Sequence, residues 1–266
     1  MVKLAVIGKD VSQSVSPNIH NFIASRLNRE ITYDKISIPE GEFDGSIEQL
    51  LREYDGMNVT IPYKLSVMPY LKSVQGDALT FGAVNTVISA TRTGYNTDGM
   101  GFMQMLAAES VEVMGERVLL LGAGGAGRSV AKKLKDGGAE VYIYDKNTDN
   151  AKKVAEEFKG IKLLEDVTPE KYGIIVNATG VGMHKSVGIS PVSEEVIKGC
   201  KTAVDLIYVP AKSEFLRIAE ANGKKIINGS AMLFYQAYYS DCYYFDIQPD
   251  PALAAKLFGE FLKVEL

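Results

Sequence analysis

Residues 117–127 read Arg117-Val118-Leu119-Leu120-Leu121-Gly122-Ala123-Gly124-Gly125-Ala126-Gly127. The apolar run has the character of a buried strand, and the glycines after it form a full G-x-G-x-x-G. A helical pattern starts at once in Arg128-Ser129-Val130-Ala131-Lys132-Lys133-Leu134. The next strand-like run, Val141-Tyr142-Ile143-Tyr144, ends in Asp145, 18 residues beyond Gly127. A lone G-x-G-x-x-G is weak, and a glycine-rich turn without a ligand is the plain alternative. Set between strand and helix, with an acid closing the second strand, it is a dinucleotide fingerprint. Gly122 permits the tight turn, Gly124 lets the backbone approach a pyrophosphate, and Gly127 lets helix and strand pack closely. The helix N-terminus adds unpaired N–H groups and partial positive charge for phosphates.

Asp145 bears on the cofactor. A carboxylate at this point accepts hydrogen bonds from an adenosine ribose and repels the extra phosphate of NADP. Lys146 partly offsets that repulsion. A simpler role for Asp145 is to cap the following helix.

Outward from the fingerprint, strand-like runs alternate with helical patterns. The strand candidates are 3–8, 32–38, 56–60, 83–90, 117–122, 140–144, 161–164, 174–178, 203–207 and 225–227. Helical segments are expected at 17–27, 42–53, 99–109, 126–135 and 148–158, and two more close the chain at about 231–244 and 251–264. This alternation predicts an α/β protein with mostly parallel sheets flanked by helices. A boundary is expected near residue 100. The expected division is an N-terminal α/β substrate domain, 1–98 plus about 238–266, and a Rossmann-like dinucleotide-binding domain, 99–237. The C-terminal helices would then return to the first domain.

Composition narrows the function. The 266 residues carry a net charge of −4, with 46% apolar and 23% charged residues. That is a globular balance, and it excludes a disordered chain, a coiled coil and a collagen. The mild negative charge argues against nucleic acid as the main ligand. The two cysteines, Cys200 and Cys242, make no disulfide framework. The first apolar run is too short for a signal peptide, and no stretch approaches the roughly 20 apolar residues of a membrane span. A cytoplasmic protein is expected, without membrane or nucleic-acid partners and without a metal. A homodimer is compatible with the sequence, which does not specify an oligomeric state. There is no Trp among the aromatics, while Tyr reaches 14, with five between Tyr235 and Tyr244.

Four strings in the first block mean little singly. In Ser12-Gln13-Ser14-Val15-Ser16-Pro17-Asn18-Ile19-His20-Asn21, Ser16 suits an N-cap and Pro17 a first helical position. His20 then lies on the first turn, where a lone His is usually structural. Asn58-Val59-Thr60-Ile61-Pro62-Tyr63-Lys64 leads from a strand to a helix start, and a lone Lys is usually solvated. Gly82-Ala83-Val84-Asn85-Thr86 and Tyr95-Asn96-Thr97-Asp98-Gly99 complete the set, and Asp98 also suits a helix cap.

Together these strings resemble the shikimate dehydrogenase family, which includes quinate/shikimate dehydrogenases. The resemblance continues in Asn177-Ala178-Thr179-Gly180-Val181-Gly182-Met183, in Asp205-Leu206-Ile207-Tyr208 and in Met232-Leu233-Phe234-Tyr235-Gln236-Ala237. It covers nearly the whole chain in the family's order and approximate spacing.

The resemblance implies an oxidoreductase that interconverts 3-dehydroshikimate and shikimate with NAD or NADP, on the route to chorismate and aromatic amino acids. It implies that Ser14 and Ser16 hold the substrate carboxylate, and that Asn58, Thr60, Asn85, Tyr208 and Gln236 contact the substrate. Lys64 and Asp98 become the catalytic pair. Gly122, Gly124, Gly125, Ala126 and Gly127 become the phosphate loop, with Asp145 and Lys146 at the adenosine end. Thr179 and Met232 would lie toward the nicotinamide. Oxidising a secondary alcohol moves a hydride to the cofactor and a proton to a base, so the protein must align the reactants and handle the proton. A lysine is a base near neutrality only where its surroundings favour the neutral form, and a protonated one still stabilises a developing alkoxide. Amides and hydroxyls suit a polyhydroxylated ring, since each donates or accepts.

Three departures stand out. The family's NADP users commonly read Asn-Arg-Thr where this chain has Asp145-Lys146-Asn147, so NAD is slightly favoured over NADP. Gly180 stands where Ser often follows Asn-Ala-Thr. Asp241 and Tyr244 stand where Phe and Trp are common. Quinate selectivity and a non-catalytic ligand sensor on the same fold are the alternative readings. Retention of both Lys64 and Asp98 argues against the sensor.

Overall fold

The apolar run that opens the chain forms β1 (Val2–Gly8), whose residues Leu4–Ile7 are buried. A computed structural model describes residues 1–264, the side chain of His184 excepted. After β1 come α1 (Ser16–Arg26), β2 (Ile31–Ser37), α2 (Phe43–Glu53), β3 (Gly56–Val59), β4 (Ser73–Val74) and α3 (Asp77–Phe81). Then follow β5 (Thr86–Ile88), β6 (Thr93–Tyr95) and α4 (Asp98–Ala108). The second half runs β7 (Arg117–Leu121), α5 (Gly125–Asp136), β8 (Glu140–Tyr144), α6 (Thr148–Glu157), β9 (Lys162–Leu163) and β10 (Tyr172–Asn177). It continues with α7 (Glu194–Lys198), β11 (Cys200–Asp205), α8 (Glu214–Ala221), β12 (Lys225–Ile227), α9 (Ser230–Tyr244) and α10 (Pro251–Phe261). The chain divides into two compact units, Met1–Gly101 with Phe234–Leu266, and Phe102–Leu233.

The first unit is built on a mixed sheet of order β2-β1-β3-β5-β6-β4. β1 pairs parallel with β2 and β3, whereas β5 is antiparallel to both β3 and β6. The run at 83–90, expected as one strand, is a short strand turning back in a hairpin through Ser89–Arg92. Arg92 takes φ 50° there, and its N–H bonds the Ser89 carbonyl at 3.1 Å. The second limb, β6, was not legible because Thr93-Gly94-Tyr95 is too short for alternation to register. One face of the sheet packs on α2, whose Phe43, Ile47, Leu50 and Leu51 join Ala5, Ile7, Met57 and Val87 in one core.

The C-terminal helices belong to this unit from Phe234 onward. α9 buries Phe234, Tyr235, Tyr238 and Tyr239 together with Ser240, Asp241 and Cys242, so within this unit most of its surface faces protein. Phe22 of α1, Phe234 of α9, and Phe258 and Phe261 of α10 pack ring against ring. Tyr244 lies against Gly56, where any Cβ would strike its ring.

The second unit carries an all-parallel sheet of order β12-β11-β10-β7-β8-β9. Numbered from β7 this is 6-5-4-1-2-3, the doubly wound dinucleotide-binding order. Val118–Leu121 of β7 are buried, as a central parallel strand covered on both faces requires. No helix among the described residues is long and apolar enough to cross a membrane.

Candidate active site

In the first unit β1, β3 and β6 point the same way, so the residues that follow them emerge at one edge, where antiparallel β5 begins. Ser14 and Ser16 follow β1, Lys64 follows β3, Asn85 precedes β5, and Asp98 follows β6. In an open α/β sheet this carboxyl edge is where ligands bind.

Lys64 is held by its surroundings. The turn after β3 is pinned by Tyr63, which is buried and donates its hydroxyl to the Ile38 carbonyl at 2.7 Å. The Lys64 carbonyl accepts the Val84 N–H at 2.9 Å. Its Nζ lies 2.5 Å from Oδ2 of Asp98, and the two side chains are 18% and 11% exposed. The pair is thus largely withdrawn from water, where charge interactions strengthen. Asp98 opens α4 but does not serve as a side-chain cap. Its N–H is taken by Asn96 Oδ1 at 3.0 Å, and its carboxylate turns to Lys64 and Asn85.

Asn85 is nearly buried and has a fixed orientation. Its Oδ1 accepts the Thr97 N–H at 3.0 Å and the Thr86 hydroxyl at 2.8 Å, which identifies the other amide atom as the donor. That Nδ2 donates to Oδ1 of Asp98 at 2.8 Å. The hydroxyls of Thr86 and Thr97 stand 2.8 and 3.1 Å from Ser240 Oγ on α9. Ser240 also accepts from Asn58 Nδ2 at 3.2 Å and donates to the Gln236 carbonyl at 3.0 Å. Asn58 Oδ1 in turn accepts the Tyr33 hydroxyl at 2.7 Å. Hydrogen bonds therefore connect Tyr33 to the lysine without a break. Near the start of α1, Ser14 Oγ donates to Ser16 Oγ at 3.0 Å.

Of the expected residues in this unit, Asn58, Asn85, Asp98 and Lys64 fall on this network, and Ser14 and Ser16 bond to each other. Thr60 begins the turn, its N–H on the Ile7 carbonyl at 2.9 Å, and Gln236 is half-buried one turn before Ser240. Ser16 is the first residue of α1 and makes no side-chain cap. Tyr33 and Ser240 were not expected. Tyr33 sits in a strand where Tyr is ordinary, and Ser240 lies among aromatic residues with nothing to mark it.

In the second unit Gly122 has φ +98°, which its tight turn requires. At Gly127 a Cβ would collide with the Gly122 carbonyl, so helix and strand meet only through glycine. Gly124 and Gly125 have open space where a Cβ would point. A cavity of about 380 Å³ lies between the ends of β7 and β10, where the strand order reverses. Its lining includes Gly122, Gly124, Asp145, Lys146, Thr179 and Gly180, and also Tyr144, Ile189 and Pro191, which carry no sequence signal. Gly125 and Ala126 open the first turn of α5. Asp145 does not cap α6. That cap is Asn147, accepting from the Asp149 N–H at 3.2 Å. The carboxylate of Asp145 instead accepts the N–H groups of Ala123 and Asn147, at 2.7 and 2.8 Å.

The loop carrying Thr179 rests on buried polar residues. Asn177 Oδ1 accepts the Thr179 N–H and hydroxyl at 3.1 and 2.6 Å, and Nδ2 donates to Asp205 at 3.0 Å. Asp205 also accepts from Ser213 Oγ at 2.5 Å and the Ile207 N–H at 3.0 Å. Burial pushes the Asp205 carboxyl above its ordinary range, and these bonds oppose the shift. Tyr208 is exposed after β11, and Met232 is buried in the first turn of α9. Neither lines this cavity.

Comparison with known proteins bears on both sites. A family model described as shikimate dehydrogenase substrate binding domain matches residues 6–87, and one described as shikimate / quinate 5-dehydrogenase matches residues 105–184. The chain is 37% identical over 243 residues to the shikimate dehydrogenase (NADP(+)) of Carboxydothermus hydrogenoformans, covering 87% of each. It superposes with TM-score 0.88 and 34% identity on the shikimate 5-dehydrogenase of Thermus thermophilus, solved with NADP(H) and shikimate, covering 98% of this chain and 100% of that one. The Listeria monocytogenes enzyme, solved with shikimate and NAD, gives TM-score 0.84 at 25% identity, covering 97% and 96% of the two chains.

Proposed function

The chain belongs to the shikimate dehydrogenase family, and from that premise we infer how its own residues carry the reaction. The protein is an NAD(P)-dependent oxidoreductase that interconverts 3-dehydroshikimate and shikimate, in the pathway to chorismate and the aromatic amino acids. The observation that carries the site assignment is the Lys64–Asp98 pair, 2.5 Å apart and joined through Asn85 to Asn58.

The second unit suits a dinucleotide. The backbone at Gly124 and Gly125 is uncovered, the strand order reverses beside it, and the N-terminus of α5 favours negative charge. We assign the pyrophosphate to residues Gly122–Gly127, the adenosine ribose to Asp145 and Lys146, and the nicotinamide half to Thr179 and Met232. When bound, the nicotinamide accepts or supplies the hydride.

The remaining work falls to the first unit. Lys64 passes a proton between Nζ and the oxygen on the reacting carbon, giving it during ketone reduction and taking it during alcohol oxidation. Asp98 holds Lys64 in place, and Asn85 holds Asp98. The hydroxyls of Ser14 and Ser16 receive the substrate carboxylate. Asn58, Thr60 and Gln236 bind the ring hydroxyls.

We place NAD slightly ahead of NADP. The support is the Asp145 carboxylate at the adenosine end, which the adjoining Lys146 offsets only in part. The names of the relatives favour NADP, and the Listeria complex contains NAD. Shikimate oxidation by the purified protein with each cofactor in parallel, followed by absorbance of the reduced nicotinamide, tests the whole reading. A large NADP preference overturns the use made of Asp145. We also place the protein in the cytoplasm, where the buried free thiols of Cys200 and Cys242 remain reduced.

A further inference from the structure

His20 of α1 and Asp241 of α9 are both fully buried, and Nδ1 of the imidazole lies 2.7 Å from Oδ1 of the carboxylate. Burial pushes the Asp241 carboxyl above its ordinary range, and His20 opposes that shift. A buried ionisable pair is a weak source of stability, so its presence asks for another reason. The geometry supplies one. Tied at Nδ1, the imidazole cannot rotate, and its flat face meets the ring of Tyr33 at 4.5 Å and 16°. Tyr244 closes in from another side at 6.3 Å.

The Tyr33 hydroxyl has one hydrogen, and it goes to Asn58 Oδ1 at 2.7 Å. With its Oδ1 turned to Tyr33, Asn58 directs Nδ2 to Ser240 and the Asn85 carbonyl, at 3.2 and 3.3 Å. One tyrosine thus sets the direction of the Asn58 amide.

We propose that Tyr33 is a positioning residue for substrate binding, and that the His20–Asp241 pair acts through it by fixing its ring. The proposal rests on the reading that Asn58 holds the substrate. Through the stacked ring, Tyr33 keeps its hydroxyl on Asn58 when substrate binds.

Steady-state kinetics with Tyr33→Phe, Asp241→Leu, Asp241→Asn, the double variant Tyr33→Phe/Asp241→Leu, and Asn58→Ala test it. Loss of one such bond should raise KM for shikimate about three- to tenfold in Tyr33→Phe and in Asp241→Leu. In both, kcat and the cofactor KM stay near those of the parent. Asp241→Asn keeps an acceptor for the imidazole and should restore KM. The double variant should be no worse than the more impaired single variant, since Asp241 acts through Tyr33. Multiplying effects, or an Asp241→Asn enzyme as impaired as Asp241→Leu, overturn the role of the pair. Tyr33→Phe removes one oxygen and keeps the ring, so it decides the matter if the Asp241 variants fail to fold. A normal KM there overturns the proposal. Asn58→Ala separates the two levels: a normal KM overturns the reading beneath the proposal, and a raised KM beside a normal Tyr33→Phe overturns the proposal alone.

Discussion

Asn85 donates its amide hydrogen to Oδ1 of Asp98 at 2.8 Å, leaving Oδ2 to Lys64 at 2.5 Å. Each carboxylate oxygen has its own partner, so the position of the lysine depends on an amide that never touches it. The amide is in turn oriented by the Thr97 N–H and the Thr86 hydroxyl. The site is a stack of dependencies, and each layer can be removed separately.

Replacing Lys64 with Ala removes the proton-handling group. Turnover should fall by about 10²- to 10⁴-fold, the usual weight of general acid–base catalysis. Cofactor affinity, measured by titration of reduced nicotinamide fluorescence, should not change. Turnover within a few-fold of the parent would remove Lys64 from the mechanism.

Asn85→Ala should act on both activity and stability. Asp98 loses a partner, and the buried Thr97 N–H and Thr86 hydroxyl lose their acceptor. Leaving buried groups unpaired costs about 1–3 kcal/mol each, so urea unfolding should show a clear loss. Turnover should drop about tenfold or more as Asp98 loses its fixed direction. A variant as stable and as active as the parent would show that the Asn85–Asp98 bond does not order the site.

The adenosine end is tested by Asp145→Asn. Removing the charge should raise the NADP-to-NAD ratio of kcat/KM about tenfold, because the negative side chain no longer opposes a phosphate. Asn has one acceptor oxygen where Asp has two, so either the Ala123 or the Asn147 N–H loses its side-chain partner. Overall affinity should fall slightly for both cofactors. An unchanged ratio would mean that Asp145 serves the backbone alone.

Asp205→Ala should destabilise the second unit by about 2–4 kcal/mol, since Asn177 and Ser213 are left with unpaired buried donors. The effect should depend on pH. The folded carboxyl is raised, so the native state holds its proton more tightly than the unfolded chain does. The contribution of Asp205 is therefore greatest below the ordinary aspartate range and shrinks as pH rises through the raised value. Denaturant curves of parent and variant at acid and neutral pH should show the smaller gap at neutral pH. A gap that widens as pH rises would contradict the burial of this carboxylate.

Much of the molecule was legible in advance. The glycine fingerprint and the alternation of strands and helices follow from local signals, whereas Lys64, Asp98, Asn85 and Asn58 stood out only through the family resemblance, and the structure brings those four side chains together. The hairpin of β5 and β6 was not legible, because strands of three residues carry no readable period. Tyr33 and Ser240 were missed for another reason. Each is an ordinary residue type in an ordinary setting, and only the atoms facing it give it a role.

The sequence by itself determined where backbone must be bare or tightly turned. Gly122 and Gly127 tolerate no side chain for reasons internal to one strand–turn–helix unit, so local chemistry sufficed. Only the tertiary structure decided what the polar side chains do. Asp145 turned out to hold the backbone of the glycine loop, and Asp98 to hold the Asn85 amide beside the lysine that the family resemblance had paired with it. Asp241, 221 residues from His20 in the chain, turned out to be its buried partner. The physical reason is that a carboxylate accepts from whichever donors folding brings within about 3 Å. Those donors come from distant segments, and sequence spacing carries no record of them.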